Sequence, residues 1–164
     1  MAGKNASADK TNVMRVLESR HTVYTAHSYD ADPTMTGAQI AAILGEPAAF
    51  VFKTLVTKGK SGKNYVFVIP VESALDLKKA AKAVGEKSIE MIHQKDLLPL
   101  TGYVHGGCSP IGMKKAFPTV IHHSAQNLGV MYVSAGKVGM QIEIAPEELR
   151  KTVSAQYADL TAAE

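Results

Sequence analysis

FVFKTLVTKGKSGKNYVFVIP, residues 50–70, decides how the rest of the chain is read. Two runs rich in β-branched and aromatic residues, 50–57 and 65–70, flank the polar segment KGKSGK (58–63). That pattern predicts two strands joined by a hairpin loop containing two glycines. Strand alternation puts Val51, Lys53 and Leu55 on one face and Phe50, Phe52, Thr54 and Val56 on the other. Both faces carry apolar residues, so the strand is expected to be covered on both sides. Lys53 is the misfit, because an ammonium buried there without a partner is strongly disfavoured. Two readings are open. Either the amine points into a cleft and meets an anion, such as a phosphate or a carbonyl gaining negative charge, or its stem packs while the amine reaches water at the sheet edge.

Outward from this hairpin, helices are predicted over 11–20, 36–44, 74–84 and 146–154. The second opens with Thr36 and Gln39 at capping-box spacing and stops at Gly45. The third follows Ser73 and ends at Gly85; the fourth opens with Pro146, Glu147 and Glu148, which suit a helix N-terminus. Further strands are expected at 22–28, 88–92, 119–123, 130–135 and 139–144. Strands outnumber helices and arrive in runs, which argues for a single α/β domain of the α+β kind, with a mixed or largely antiparallel, barrel-like sheet.

The chain has 164 residues, 46% of them hydrophobic, which fits one domain with a real core. Residues 1–9 read as a flexible leader and 10–164 as the domain. No apolar run approaches a membrane span, and the polar start lacks a secretory h-region. One cysteine, Cys108, excludes an internal disulfide and a cysteine-built zinc cluster. A cytosolic, cytoplasmic setting is expected. A net charge of +3 does not mark a duplex-nucleic-acid binder by itself, though lysines cluster locally at 53–63, 78–87 and 114–115.

The segment TGYVHGGCSPIGMKK (101–115) holds four glycines. Adjacent Gly106 and Gly107 let a ligand approach backbone N–H groups, and such groups in a turn form a nest for an anion or oxyanion. Ser109 adds a hydroxyl, and Lys114 and Lys115 add charge. The spacing is neither a Walker loop nor a dinucleotide fingerprint, so a binding loop and an irregular structural turn are both open. Cys108 with His105 suggests a thiol–imidazole nucleophile, against which stands the commoner role of a small packing residue. None of the six histidines falls in a metal-ligand spacing, and neither a metal nor another cofactor is expected.

The strand Phe52-Lys53-Thr54-Leu55, the segment LDLKKAAKAVG (75–85), the glycine loop and MYVSAGKVGMQIEIAPEEL (131–149) occur together in this order. The set resembles the YbaK/EbsC family of Cys-tRNA(Pro) deacylases, related to the editing domain of bacterial prolyl-tRNA synthetases. The resemblance spans about residues 11–160. It implies a mixed, barrel-like sheet surrounded by helices. The implied activity is hydrolysis of the ester between cysteine and the tRNA 3′ end, in which the substrate's own thiol attacks its carbonyl and leaves as a thiolactone.

By the same resemblance, Lys53 matches the essential strand lysine that holds the tRNA 3′ end, and Thr54 its pocket neighbour. Tyr29 matches a site tyrosine, Gly106 the first loop glycine, and Ser134 a pocket serine. Gln141 stands where some members carry aspartate; Ala135 replaces a glycine and Val138 an arginine. The implied partners are the tRNA 3′ end, with Lys114 and Lys115 as RNA contacts, and prolyl-tRNA synthetase. Cys-tRNA(Cys) as a further substrate, a deacylase of another mischarged tRNA, such as Ala-tRNA(Pro), and a non-catalytic aminoacyl- or nucleotide-binding domain stay open beside this reading.

Overall fold

The computed structural model describes residues 10–32 and 34–162. The expected leader, 1–9, lies outside the described residues, as do the last two positions of the expected domain.

The 50–70 segment forms the expected hairpin. β2 (Phe52–Gly59) and β3 (Asn64–Pro70) pair antiparallel, from Phe52 opposite Pro70 to Lys58 opposite Asn64. Gly59 N–H donates to the Lys63 carbonyl at 2.8 Å, and Gly62 turns the corner at φ 94°. β3 pairs in parallel with β5 (Thr119–His122), and β5 in parallel with β8 (Gln156–Ala158). On the other side β4 (Ile89–Met91) pairs antiparallel with only the far end of β2, Thr57–Gly59. The result is a mixed five-stranded sheet in the order β4-β2-β3-β5-β8.

A second, antiparallel sheet has the order β1-β7-β6, from Thr25–Ser28, Met140–Ile144 and Met131–Lys137. The mixed α+β domain is as expected, but the barrel-like sheet is two open sheets. Among the described residues they are bridged by one parallel pairing, Val51 with Tyr132. Closure would need the edges to pair, and β4 and β8 are three residues each, short edges of the kind that end a sheet.

Alternation along β3 divides the core. Val66 and Val68 pack with Phe52 and Val56 against Val133, Ile142 and Ile144 of the small sheet and against Val13, Met14 and Leu17. Tyr65, Phe67 and Ile69 pack on the opposite face against Ala80, Ala81 and Leu160. Leu55 joins this second layer, so β2 is covered on both faces.

The helices follow their caps. α1 (Asn12–Ser19) starts at Thr11, whose hydroxyl accepts from Met14 N–H. α2 (Gly37–Leu44) has the full capping box between Thr36 and Gln39 and ends at Gly45, φ 73°. α3 (Leu77–Val84) starts later than expected: Leu75 is held extended in a bridge to Thr161, and Asp76, not Ser73, caps Lys78 and Lys79 N–H. α5 (Pro146–Val153) opens on its proline. Two short elements lacked a sequence signal: α4 (Leu97–Thr101), a single turn around Pro99, and β8. No helix among the described residues is long and apolar enough to cross a membrane.

Candidate functional site

Beyond Val56 the edge of β2 is covered by β4; before it, the edge is free of β4, and a cavity of about 220 Å³ lies there. Phe52, Lys53, Thr54 and Leu55 supply one wall, Ser134 and Gln141 the facing wall, and Gly106 and Cys108 the loop side. Sequence positions 53, 106, 134 and 141 thus come together in space. Register explains the facing wall: Ser134 pairs with Gln141, and His27 with Gln141, on one face of the small sheet, while Val133 and Ile142 point into the core.

Lys53 is half-buried, and burial lowers its pKa from the usual lysine range. It makes no ion pair or hydrogen bond with any described residue. Gln141 is 5% exposed; its Nε2 donates to Tyr29 Oη at 3.3 Å. Its other amide atom, Oε1, has no partner, nor has Thr54 Oγ1. Two of the three buried side-chain atoms left unpartnered among the described residues therefore belong to residues that line this cavity. Each such atom costs about 1–3 kcal/mol unless something satisfies it; both oxygens are closed off from the cavity as the side chains stand, so a ligand meets them only if Thr54 and Gln141 turn. Ser134 Oγ is already engaged, accepting from Gly136 N–H at 3.1 Å across the bulge that interrupts β6. Tyr29 does not line the cavity. It is anchored through its N–H to the Gly139 carbonyl at 2.9 Å, and burial raises its pKa while the Gln141 amide pulls the other way.

The glycine loop divides its labour. Gly106, at φ 89°, lines the cavity. Gly107 does not: its N–H closes the turn to Val104 at 3.0 Å, and it sits where a Cβ would come within 2.9 Å of the Lys137 and Val138 backbone. Ser109 is fully buried outside the lining and accepts from Ile111 N–H at 3.2 Å. Lys114 donates to the Pro99 carbonyl at 3.4 Å, and Lys115 lines a separate cavity with Met113 and Phe117. Neither lysine reaches the walls described above.

Cys108 lines the cavity, but burial pushes its thiol up to about 12. It is therefore protonated at neutral pH, and no described histidine hydrogen-bonds it. Cys108→Ala is expected to leave turnover within about twofold. Alkylation of the native thiol at pH 8 should be far slower than for a free cysteine, whose pKa is about 8.5. A rate matching the free amino acid would show an activated thiolate.

Residues not anticipated from the sequence are Met35, Gly37 and Ile40 at the start of α2, with Val71 and Leu97. They make the cavity mostly apolar. Gly37 was the available signal: glycine is a poor first-turn residue, and here a Cβ would lie 2.3 Å from Val71 Cβ. The one His/Asp grouping among the described residues tight enough for a cation is His122, His123 and Asp159, away from this cavity. Its groups are engaged: Asp159 pairs with Lys79 at 2.9 Å, and His122 Nδ1 accepts from Leu160 N–H.

Residues 31–152 match the aminoacyl-tRNA editing domain, and this span contains both cavity walls. The chain belongs to the aminoacyl-tRNA editing domain family. Along 98% of its length it is 45% identical to an Enterococcus faecalis protein, EbsC, provisionally named a Cys-tRNA(Pro)/Cys-tRNA(Cys) deacylase, and it covers 99% of that protein. Among solved structures, one provisionally described as a trans-editing enzyme for prolyl-tRNA synthetase superposes with a TM-score of 0.81 at 26% identity, over 93% of this chain and 96% of that one. A hypothetical protein at 23% identity shares the editing-domain fold, with a TM-score of 0.85 over 93% of this chain and all of the other.

Proposed function

We propose that this editing domain acts in trans as an aminoacyl-tRNA deacylase that removes cysteine from Cys-tRNA(Pro). The observation that carries the reading is the cavity itself: Lys53, whose ammonium pairs with no described residue, lines an apolar space of about 220 Å³ together with Thr54 and Gln141, the residues that hold two unpartnered buried oxygens. That is below the range of about 300–1,000 Å³ usual for drug-sized ligands. It suits a small acyl group whose nucleotide stays outside. An α-ammonium is a three-proton donor, and a turn of the Thr54 and Gln141 side chains would present it with two acceptors. Lys53 then meets the ester or the adjoining phosphate, where it offsets negative charge in the transition state.

The chain holds no activated nucleophile in this cavity among the described residues: Cys108 is protonated, and Ser134 is turned to Gly136. The substrate's sulfur supplies the attack. It bonds to the ester carbonyl carbon, the bond from that carbon to the ribose oxygen breaks, and the oxygen leaves with the proton given up by the thiol. The released thiolactone is opened by water. The protein's contribution is alignment, which can supply a large share of the barrier reduction. Discrimination follows from chemistry rather than size, since a methylene or so of difference is worth only about 1–3 kcal/mol. Prolyl-tRNA synthetase, named with the related structure, is the partner we infer.

The test is release of amino acid from a panel of Cys-, Ala-, Ser- and Pro-tRNA(Pro). Cleavage confined to the cysteinyl ester is the expected result. Equal cleavage of the alanyl ester would replace the thiol scheme with a water-attack deacylase. Binding without release from any member would make the domain a binder.

A further inference from the structure

The cavity occupies one end of β2, and the strand leads away from it to the β2–β3 turn. From Lys53 to Gly59 is six residues, about 20 Å at ~3.3 Å per residue. Several lysines the cavity does not use stand at that far end. Lys58, Lys60 and Lys63 are carried by β2 and the turn, and Lys87 enters beside Ser88, whose carbonyl accepts Lys60 N–H at 3.1 Å. Lys58, Lys60, Lys63 and Lys87 are exposed, and none forms an ion pair with a described residue. Elsewhere Lys10, Lys79 and Lys151 pair with Glu18, Asp159 and Glu148, while Lys78, Lys82, Lys95, Lys114 and Lys115 are exposed without an ion pair to a described residue but are not carried by the strand that leads from the cavity.

Two carboxylates stand nearby. Glu90 lies opposite Lys58 in the β2–β4 register. Glu86 accepts from Ser61 and from Tyr65 Oη, and the Lys63 charge acts on it. At this end of the hairpin Lys60 and Lys87 are the two lysines with no carboxylate set opposite them or acted on by them. The turn that carries Lys60 is held by Gly59 to Lys63 and by Glu86 to Ser61, so the ammonium groups project from a fixed platform.

We propose that this end of the hairpin binds the phosphate backbone of the base-paired acceptor stem while the 3′ end reaches back to the cavity. The inference rests on the deacylase reading above. The distance fits: roughly four unpaired nucleotides at the 3′ end rise about 14 Å when stacked at ~3.4 Å each, and more when stretched. A stem whose terminal ester sits beside Lys53 therefore brings its first paired phosphates to the level of Lys60 and Lys87. Contacts of this kind position the RNA and carry no sequence information.

The test is the double variant Lys60→Glu/Lys87→Glu, assayed on full-length Cys-tRNA(Pro) and on a cysteinylated CCA trinucleotide. Both residues are exposed, and circular dichroism checks the fold. On the full tRNA, kcat/KM should fall about tenfold or more at low salt, and the log–log salt dependence should flatten by about one to two units. The trinucleotide, too short to reach the turn, should be cleaved as by the wild type. Equal loss on both substrates, or none on either, overturns the proposal. If the wild type cleaves neither substrate, the deacylase reading fails instead. Uncharged tRNA followed by fluorescence anisotropy then scores the surface alone: weaker binding by the variant supports it, and unchanged binding overturns it.

Discussion

Lys53→Met is expected to lower ester cleavage by about two to three orders of magnitude, the loss typical when one donor to a developing oxyanion is removed, with no loss of thermal stability. The second half follows from the sign of the pKa shift. Burial lowers the Lys53 pKa on folding, so the folded chain holds this proton less tightly than the unfolded chain does. At neutral pH the ammonium therefore opposes folding, and the penalty fades only as pH climbs from the lowered folded-state pKa up through the ordinary lysine range. Methionine keeps much of the stem's packing and removes the charge, so the melting temperature should stay level or rise. A structural lysine would behave oppositely: its loss would reduce stability and activity together. Single-turnover deacylation and a thermal melt on the same preparation separate the two, and a melt that falls by several degrees alongside full residual activity would remove Lys53 from the site.

Gly107→Ala should produce the second large effect, for a reason confined to backbone geometry. Its Cβ would meet the Lys137 and Val138 main chain at 2.9 Å. Main-chain atoms cannot swing aside as a flexible side chain can, so either the loop or the β6–β7 turn must move. Overpacking of this kind costs about 1–3 kcal/mol. The displaced turn joins the strands that hold Ser134 and Gln141, and the displaced loop carries Gly106. We expect stability to fall by that amount and kcat/KM to fall at least about tenfold. Gly45→Ala is the control. Gly45 has φ 73° but open space around it, so it should lose only about 1 kcal/mol and keep its catalytic rate. If both variants lose stability alone, the loop's seat on the turn has no bearing on cleavage.

The hairpin was legible because alternation over 50–70 is long and its loop is rich in glycine and lysine. Lys53 stood out because its neighbours leave it no chemical company. The division of β2 into two covered faces was also readable, since Phe52 and Leu55 lie on opposite sides of one strand. What stayed hidden arises from elements remote in sequence. Met35, Ile40, Val71 and Leu97 carry no local mark of a cavity, because an apolar residue reads alike whether it meets a core or a ligand. α4 is one turn around Pro99, below the length at which helical periodicity can be counted. The late start of α3 was set by Leu75 pairing with Thr161, a contact across 86 residues. Ser109 and Gly107 looked like ligand groups from composition. The fold uses both to hold the loop, which shows that glycine and serine in a turn do not say on their own whether the turn serves itself or a guest.

Because the strand bearing Lys53 and Thr54 and the strands bearing Ser134 and Gln141 belong to different sheets, the mouth of the cleft works as a calliper whose jaws are set by what is clamped behind them. Val68, Val133 and Ile142 never see the substrate, yet their bulk fixes the aperture. Amino-acid choice in this architecture can thus drift through interior volume, with every residue at the chemical surface left as it is.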